Sequence, residues 1–188
     1  PSHSVISGVE INAEALLIAQ KRLLQIDPSP TFIWGTDLSQ IEQVAGCGGF
    51  PGYDLVVLWE VLEHVVDPQD MLKRAAALLR PGGKMIICVP NANSLAARFL
   101  HERAPMFGLG HLNIYSPETL LRALGGSFFN TRLETIVSWL REIQNWMNFR
   151  GPMDDDRPPH FPATFGEAPL LHGIWAGYKL VAFAEKMT

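Results

Sequence analysis

The sequence predicts an α/β fold with a mostly parallel sheet that ends in an antiparallel pair of strands. Strand-like and helix-like segments alternate through the first half of the chain, which is typical of parallel sheets built from crossover units. Two strand-like runs, 55–58 and 85–89, are apolar without alternation, as in strands covered by helices on both faces. After Gly126, two strand-like segments follow with no convincing helix between them, and an antiparallel pair is the simplest interpretation.

Each element has a local signal. Asn12 is a helix cap for 13–25, Asp67 and Pro68 open a helix over 68–79, and Ser116 opens another. The Pro-Gly-Gly at 81–83 is predicted to end the second helix. The strand-like segments lie at 5–11, 31–34, 54–58, 84–89, 128–137 and 174–184.

Composition limits the possible functions. With 188 residues, 47% hydrophobic, the chain can form one globular domain over 1–188, with an irregular, proline-rich cap segment at 148–172. A net charge of −4 gives no basic footprint for nucleic acid. Only two cysteines occur, in neither a zinc nor a disulfide pattern. No run reaches the roughly 20 apolar residues of a membrane span, so we predict a cytoplasmic protein without a membrane or nucleic-acid partner.

Polar residues follow two of the early strands. In open α/β sheets ligands bind beyond the carboxyl ends of the strands, and Glu10 lies at such an end, where a carboxylate can accept hydrogen bonds from a ribose diol. Asp37 follows the next strand and could meet an adenine amino group. Both residues also have ordinary interpretations: a solvated acid for Glu10, and a cap of the next helix for Asp37.

The most informative stretch reads YDLVVLWEVLEHV over 53–65, followed by Asp67-Pro68, by LRPGGK over 79–84 and by Pro90-Asn91. This ordered series resembles the class I S-adenosylmethionine-dependent methyltransferases, especially the branch that includes ubiquinone-biosynthesis O-methyltransferases. The resemblance implies a Rossmann-like sheet, S-adenosylmethionine as cofactor and a small molecule as methyl acceptor.

Site residues follow from the same resemblance. It implies that Glu10 binds the cofactor ribose, that Asp37 and Leu38 frame the adenine, and that 58–60 line the methionine end. The segment 110–117 is similar to the family segment that overhangs the substrate pocket. The predicted cofactor-binding set is Glu10, Ile11, Asp37, Leu38, Leu58, Trp59 and Glu60.

The chain departs from the family at its front. Only nine residues precede Glu10, whereas a first strand and glycine-rich turn normally occupy about 20 residues before the ribose-binding acid. We therefore expect a fragment that is a poor enzyme and only marginally stable alone, because two strand edges lack their neighbour. A non-catalytic binding module is an alternative. A nicotinamide-dependent oxidoreductase would share the strand-end acid, but the turn at 59–65 and the antiparallel pair argue against it.

Glu60, Glu63 and His64 would share a face if their segment were helical. With His111 they could bind a divalent metal. Imidazole also suits proton transfer, since it titrates near neutrality, and we predict His64 and His111 as catalytic bases and no metal. The simplest interpretation is that Glu63 and His64 only stabilise the start of a helix.

Overall fold

The chain forms two compact units. The structure is a computed structural model that describes residues 5–26, 31–46, 50–108, 110–126, 128–136 and 177–187. The units are Pro1–Gly52 and Tyr53–Thr188. The predicted cap segment at 148–172 lies outside the described residues, as does the beginning of the strand predicted at 174–184.

In the N-terminal unit, the described residues form two strands and two helices in alternation. Strand β1 (Val5–Val9) pairs in parallel with β2 (Thr31–Gly35). Helix α1 (Ala13–Ile26) connects them, and α2 (Leu38–Gly46) follows β2. The side-chain oxygen of Asn12 accepts hydrogen bonds from the backbone N–H of Glu14 at 2.9 Å and of Ala15 at 3.2 Å, so the predicted cap is confirmed.

The described part of the second unit forms a four-stranded mixed sheet. Strands β3 (Tyr53–Trp59), β4 (Leu79–Pro90), β5 (Phe128–Ile136) and β6 (Lys179–Lys186) are ordered β3-β4-β6-β5. The β3–β4 pair is parallel, whereas β6 runs antiparallel to both β4 and β5. The predicted antiparallel pair is therefore confirmed. Because β6 runs antiparallel to β4, its first residue, Lys179, lies at the edge of the sheet where β3 and β4 end.

Among the described residues of this unit, three α-helices accompany the sheet: α3 (Pro68–Leu78), α4 (Leu95–Leu100) and α5 (Pro117–Leu124). The Asp67 carboxylate accepts a hydrogen bond from the backbone N–H of Asp70 at 2.9 Å, and Ser116 forms a capping box with Thr119. Both predicted helix starts are confirmed. Two short 3₁₀ turns, His101–Arg103 and Pro105–Phe107, follow α4. Within the described part of the chain, no helix is long and apolar enough to cross a membrane.

The Pro-Gly-Gly segment lies inside a strand and not in a loop. The sequence predicted a helix to 79 and a strand from 84, but β4 already begins at Leu79. The register moves from Tyr53↔Leu79 to Leu55↔Lys84, so extra residues of β4 form a bulge. Gly82 has φ +69°, and a Cβ on Gly83 would lie 2.9 Å from the Tyr53 carbonyl oxygen. The glycines are needed because backbone bends and approaches closely here.

The core lies mainly around β4 and β6. The apolar run 85–89 is nearly all buried, as predicted, and packs with side chains from α3, α5 and β6. The run in β3 differs, because Leu55 and Val57 are about half exposed (48% and 49%). Successive side chains of a strand point to opposite faces of the sheet, and of this run only Val56 and Leu58 pack against the core.

Candidate active site

The carboxyl edge of the four-stranded sheet begins at Glu60. This residue directly follows β3, and its backbone N–H donates a hydrogen bond to the Cys88 carbonyl oxygen at 2.9 Å. Its φ of 54° lies in the left-handed region, which is costly for a residue with a Cβ. One carboxylate oxygen, Oε2, lies 3.0 Å from Nζ of Lys179. The other, Oε1, accepts a weak hydrogen bond from the Cys88 thiol at 3.7 Å.

The Cys88 thiol, which contacts Glu60, stays protonated at neutral pH. Cys88 is fully buried in β4. Burial raises the pKa of its thiol to about 12, and the neighbouring Glu60 carboxylate adds to the rise. The protonated thiol therefore faces Glu60, and the structure gives no sign of an activated nucleophile at this position.

A second group of polar side chains consists of Glu63, His64 and His111. One ligand atom from each lies within 4.8 Å of the others. The two imidazole rings stand edge to face, 4.8 Å apart between centroids. Glu63 is 0% exposed, and neither of its carboxylate oxygens accepts a hydrogen bond from any described residue.

The backbone sets the tautomer of both histidines. Nδ1 of His64 lies 2.8 Å from the Gly110 carbonyl oxygen, and Nδ1 of His111 lies 2.8 Å from the Met106 carbonyl oxygen. A carbonyl oxygen only accepts hydrogen bonds, so each Nδ1 carries the proton. In the neutral form of each ring Nε2 therefore keeps its lone pair, available to accept a proton or to bind a metal.

The turn that carries Glu63 is tied to the segment 110–115. Backbone N–H groups of Leu112 and Asn113 donate to the Glu63 carbonyl oxygen at 2.6 and 3.1 Å. The side-chain amide of Asn113 donates to the carbonyl oxygens of Leu62 at 3.2 Å and Val65 at 2.6 Å. These bonds bring His111 beside His64, although the two residues are far apart in the sequence.

Burial governs the ionisation of Glu63. It raises the pKa of the carboxyl group above its ordinary 4.5, with a further contribution from the Glu60 carboxylate. Tyr115 is a buried neighbour whose hydroxyl makes no hydrogen bond with a described residue. Burial, with a smaller contribution from the Glu63 carboxylate, raises the pKa of that hydroxyl to about 12.

The helical interpretation of 60–64 is wrong. Residues 61–66 form turns and irregular backbone, and α3 begins only at Pro68 with Asp67 as its cap. Glu63 and His64 therefore do not belong to a helix start. Glu60 is paired with Lys179, so the potential ligand group consists of Glu63, His64 and His111 without it.

The N-terminal unit carries four of the predicted cofactor-binding residues. Glu10 directly follows β1, is exposed, and accepts a hydrogen bond from the Asn12 backbone N–H at 2.8 Å through Oε1. Ile11 is exposed beside it. Asp37 accepts a hydrogen bond from the Ser39 backbone N–H at 2.7 Å, which agrees with its alternative interpretation as a helix cap. Leu38 is the first residue of α2.

The remaining predicted residues lie at the end of β3. The Leu58 side chain belongs to the hydrophobic core, whereas Trp59 is about half exposed. Sequence reasoning missed Lys179 and Asn113. A lysine that opens the apolar run KLVAFA is a detectable sign of a strand end, but nothing local indicates that it pairs with Glu60.

Comparison with known proteins identifies the family. Residues 4–131 match the family described as a methyltransferase domain. The ubiquinone biosynthesis O-methyltransferase of Vibrio parahaemolyticus is 31% identical over 90 residues, which are 48% of this chain and 36% of that relative. The corresponding enzyme of Photorhabdus laumondii is 32% identical over 92 residues with the same shares. The matched region thus spans about a third of the length of these curated relatives.

Solved structures agree on the fold. A methyltransferase from Thermotoga maritima, described as S-adenosylmethionine-dependent and a possible histamine N-methyltransferase, gives a TM-score of 0.56 at 17% identity, covering 96% of this chain and 72% of that one. Phosphoethanolamine N-methyltransferase 2 of Haemonchus contortus, in complex with S-adenosyl-L-methionine, gives 0.55 at 16% identity, covering 97% and 43%. Since the family match spans well over half of the chain and the fold agrees with it, the chain belongs to the methyltransferase domain family, within the class I S-adenosylmethionine-dependent methyltransferases.

Proposed function

We propose that this chain takes part in methyl transfer from S-adenosylmethionine to a small-molecule acceptor. The observation that carries the proposal is the group of Glu63, His64 and His111 on a chain of this family. Both imidazoles are bonded to the backbone through Nδ1, and Nε2 of His64 lies 4.0 Å from Oε1 of the buried Glu63. Relatives named as ubiquinone biosynthesis O-methyltransferases support a small acceptor. Oxygen, nitrogen and carbon acceptors all remain compatible with the sequence.

The cofactor-binding roles divide along the chain. Glu10 binds the ribose diol, for which its exposed carboxylate, oriented by the Asn12 N–H, supplies acceptors. Asp37 and Leu38 frame the adenine, and residues 58–60 line the methionine end. Bound S-adenosylmethionine supplies an electrophilic methyl group on a positively charged sulfur. The carboxylate of Glu60 directly follows β3; it is paired with Lys179, and its oxygens can also accept a hydrogen bond from an ammonium group of the ligand.

The histidines accept the proton that the methyl acceptor loses. When a hydroxyl group takes up a methyl group, its proton must leave, and Nε2 of His64 or of His111 can accept it. The carbonyl oxygens of Gly110 and Met106 hold the opposite ring nitrogens in the donor form. The Glu63 carboxyl group lies beside the imidazolium that forms and stabilises it when ionised. The chain then mainly orients the reactants, which is the larger part of catalysis for an activated methyl group.

A divalent cation bound by the same three residues is a second candidate function. It is favoured by the buried Glu63 carboxylate, which has no hydrogen-bond partner among the described residues. One carboxylate oxygen and two imidazole nitrogens suit Mn²⁺ or Zn²⁺, and hydrogen-bonded Nδ1 atoms are the usual support of metal-binding histidines. Such an ion would supply a positive charge that favours the deprotonated acceptor.

Calorimetric titration with S-adenosylhomocysteine tests the cofactor proposal. The Glu10→Gln variant removes a charge-assisted hydrogen bond worth roughly 1–3 kcal/mol, so its affinity should fall about 5- to 150-fold. Glu14→Gln, an exposed acid in the first turn of α1, is the matched control and should bind like the wild type. An unchanged affinity for Glu10→Gln would remove Glu10 from the site.

Equilibrium dialysis against Mn²⁺ and Zn²⁺ separates the two roles of the histidines. If the second candidate is right, the wild type retains about one ion per chain, whereas His111→Ala and Glu63→Gln retain none. Exposed Glu102→Gln is the control. If the wild type binds neither ion, the metal-binding candidate is excluded and only the proton-accepting role of the histidines remains.

A further inference from the structure

The ion pair between Glu60 and Lys179 bridges the carboxyl edge of the sheet. Glu60 follows β3, Lys179 is the first residue of β6, and β4 lies between those two strands. The backbone of Lys179 is paired with Pro90 of β4 on one side and with Ile136 of β5 on the other. The ammonium group is therefore carried by a strand held on both sides, 3.0 Å from the Glu60 carboxylate.

The backbone at Glu60 adopts a conformation that favours glycine. Its φ is 54°. Left-handed backbone is unfavourable for a residue with a Cβ, so it persists only where surrounding contacts hold it, and such residues cluster at functional sites. The same residue keeps its N–H bonded to the Cys88 carbonyl oxygen. The chain thus turns away from β3 while the Glu60 side chain stays directed across the end of β4.

Stability does not account for this arrangement. The side chains of Lys179 and Glu60 are 24% and 32% exposed, and ion pairs that reach solvent contribute little to folding. The ion pair instead fixes the orientation of the Glu60 carboxylate. Lys179 holds Oε2 and the Cys88 thiol contacts Oε1, so both oxygens of the carboxylate are constrained.

We propose that Lys179 is a positioning residue, which holds the Glu60 carboxylate at the carboxyl edge in the orientation that meets the α-ammonium group of the cofactor's methionine end. The inference rests on the proposed function, in which Glu60 lines that end. Without Lys179 only the weak contact with the Cys88 thiol restrains the carboxylate. It can then sample more rotamers, and binding must order it again. Lys179 acts through Glu60, so its effect exists only while Glu60 is present.

Two ligands distinguish positioning from a general structural role. S-adenosylhomocysteine carries the amino-acid end, whereas 5′-methylthioadenosine has the adenosine and the sulfur without it. Calorimetry on the 188-residue chain compares Lys179→Met, Lys179→Arg, Glu60→Gln and the double variant of Lys179→Met with Glu60→Gln. Lys84→Met is the matched control, because Lys84 is an exposed lysine at the opposite end of the β4–β6 ladder.

We expect Lys179→Met to weaken S-adenosylhomocysteine binding about 3- to 10-fold, which corresponds to the free-energy cost of ordering one side chain on binding. Binding of 5′-methylthioadenosine should stay unchanged. Lys179→Arg restores the affinity to within about twofold, since a guanidinium can make the same pair. In the Glu60→Gln background, Lys179→Met adds no further loss.

The possible failures are distinct. If Glu60→Gln weakens S-adenosylhomocysteine binding but Lys179→Met does not, the positioning role is wrong while the proposed function stands. If Lys179→Met weakens both ligands and lowers the melting temperature, the lysine is structural and the inference is overturned. If the wild type does not bind S-adenosylhomocysteine, or Glu60→Gln binds it unchanged, the proposed cofactor role of Glu60 fails and this inference falls with it.

Discussion

Replacing Glu63 with glutamine is expected to stabilise the fold and to abolish cation binding at the same time. The side chain is 0% exposed and neither oxygen accepts a hydrogen bond from a described residue. A buried polar group left unsatisfied costs about 1–3 kcal/mol, and more when it is charged. Glutamine keeps the shape and removes the charge, but its amide is also without a partner. The expected gain is therefore the difference between an unsatisfied charged group and an unsatisfied neutral one, about 1 kcal/mol at neutral pH in EDTA. For a domain of this size each kcal/mol shifts the melting temperature by roughly 2–4 °C.

The gain should depend on pH in a defined direction. Burial raises the pKa of the Glu63 carboxyl above its ordinary 4.5, so the folded state holds this proton more tightly than the unfolded state. The stability contributed by the neutral carboxyl is present at low pH and is lost as the pH rises from 4.5 through the folded pKa. The wild type and Glu63→Gln should therefore melt alike near pH 4 and differ most at neutral pH.

Thermal denaturation with and without Mn²⁺ is the assay. An ion at 100 times its Kd would stabilise the wild type by about 2.7 kcal/mol, and Glu63→Gln should show no such response, whereas Glu102→Gln should behave like the wild type. If Glu63→Gln melts below the wild type in EDTA at neutral pH, the carboxylate is favourably compensated where it lies, and our reasoning about its burial is refuted. A wild type that does not respond to Mn²⁺ contradicts the cation candidate alone.

Three further changes test the packing around this edge. Gly177→Ala should lower stability by about 1–3 kcal/mol in urea denaturation, because the added Cβ would lie 2.5 Å from the Thr135 side chain, while Gly126→Ala, with nothing within 4 Å, serves as control; equal midpoints would contradict the contact. In a Cys47→Ser background, Cys88 should react with a thiol reagent far more slowly in the native protein than in denaturant, since it is buried and protonated; a native rate like that of free cysteine would show the site is open. Because burial raises the pKa of the Cys88 thiol from 9.0 to about 12, stability should fall as the pH rises above 9.0, and the fall should be shallower in Cys88→Ala; identical slopes in both proteins would exclude this thiol as a cause.

The sequence alone accounts for elements whose signals are local. The caps at Asn12, Asp67 and Ser116 and the buried run 85–89 were predicted correctly, because a helix cap or an apolar run depends on neighbours within a few residues. The Pro-Gly-Gly at 81–83 was predicted to end a helix and lies in a strand. Its local pattern permits both, and the pairing with Tyr53 decides between them.

The candidate site was only partly accessible from the sequence. His64 and His111 were chosen for their chemistry, and the structure places them within contact of each other. Glu60, Glu63 and His64 would share a face only in a helix, and this stretch is a turn held by hydrogen bonds from the segment 110–115. The burial of Glu63 follows from that tertiary contact, since nothing in the run EVLEHV distinguishes a buried acid from a solvated one.

Residue patterns within a few positions of one another were enough to predict the alternation of strands and helices and the helix caps, and the ordered motifs over 53–91 carried the family resemblance. The placement of β6 between β4 and β5, and with it the pairing of Lys179 with Glu60, required the folded chain. The physical reason is that these contacts join residues more than 40 positions apart, as the ladder from Lys84↔Glu185 to Pro90↔Lys179 illustrates. Their formation depends on the collective packing of the sheet and its helices, which no local propensity encodes.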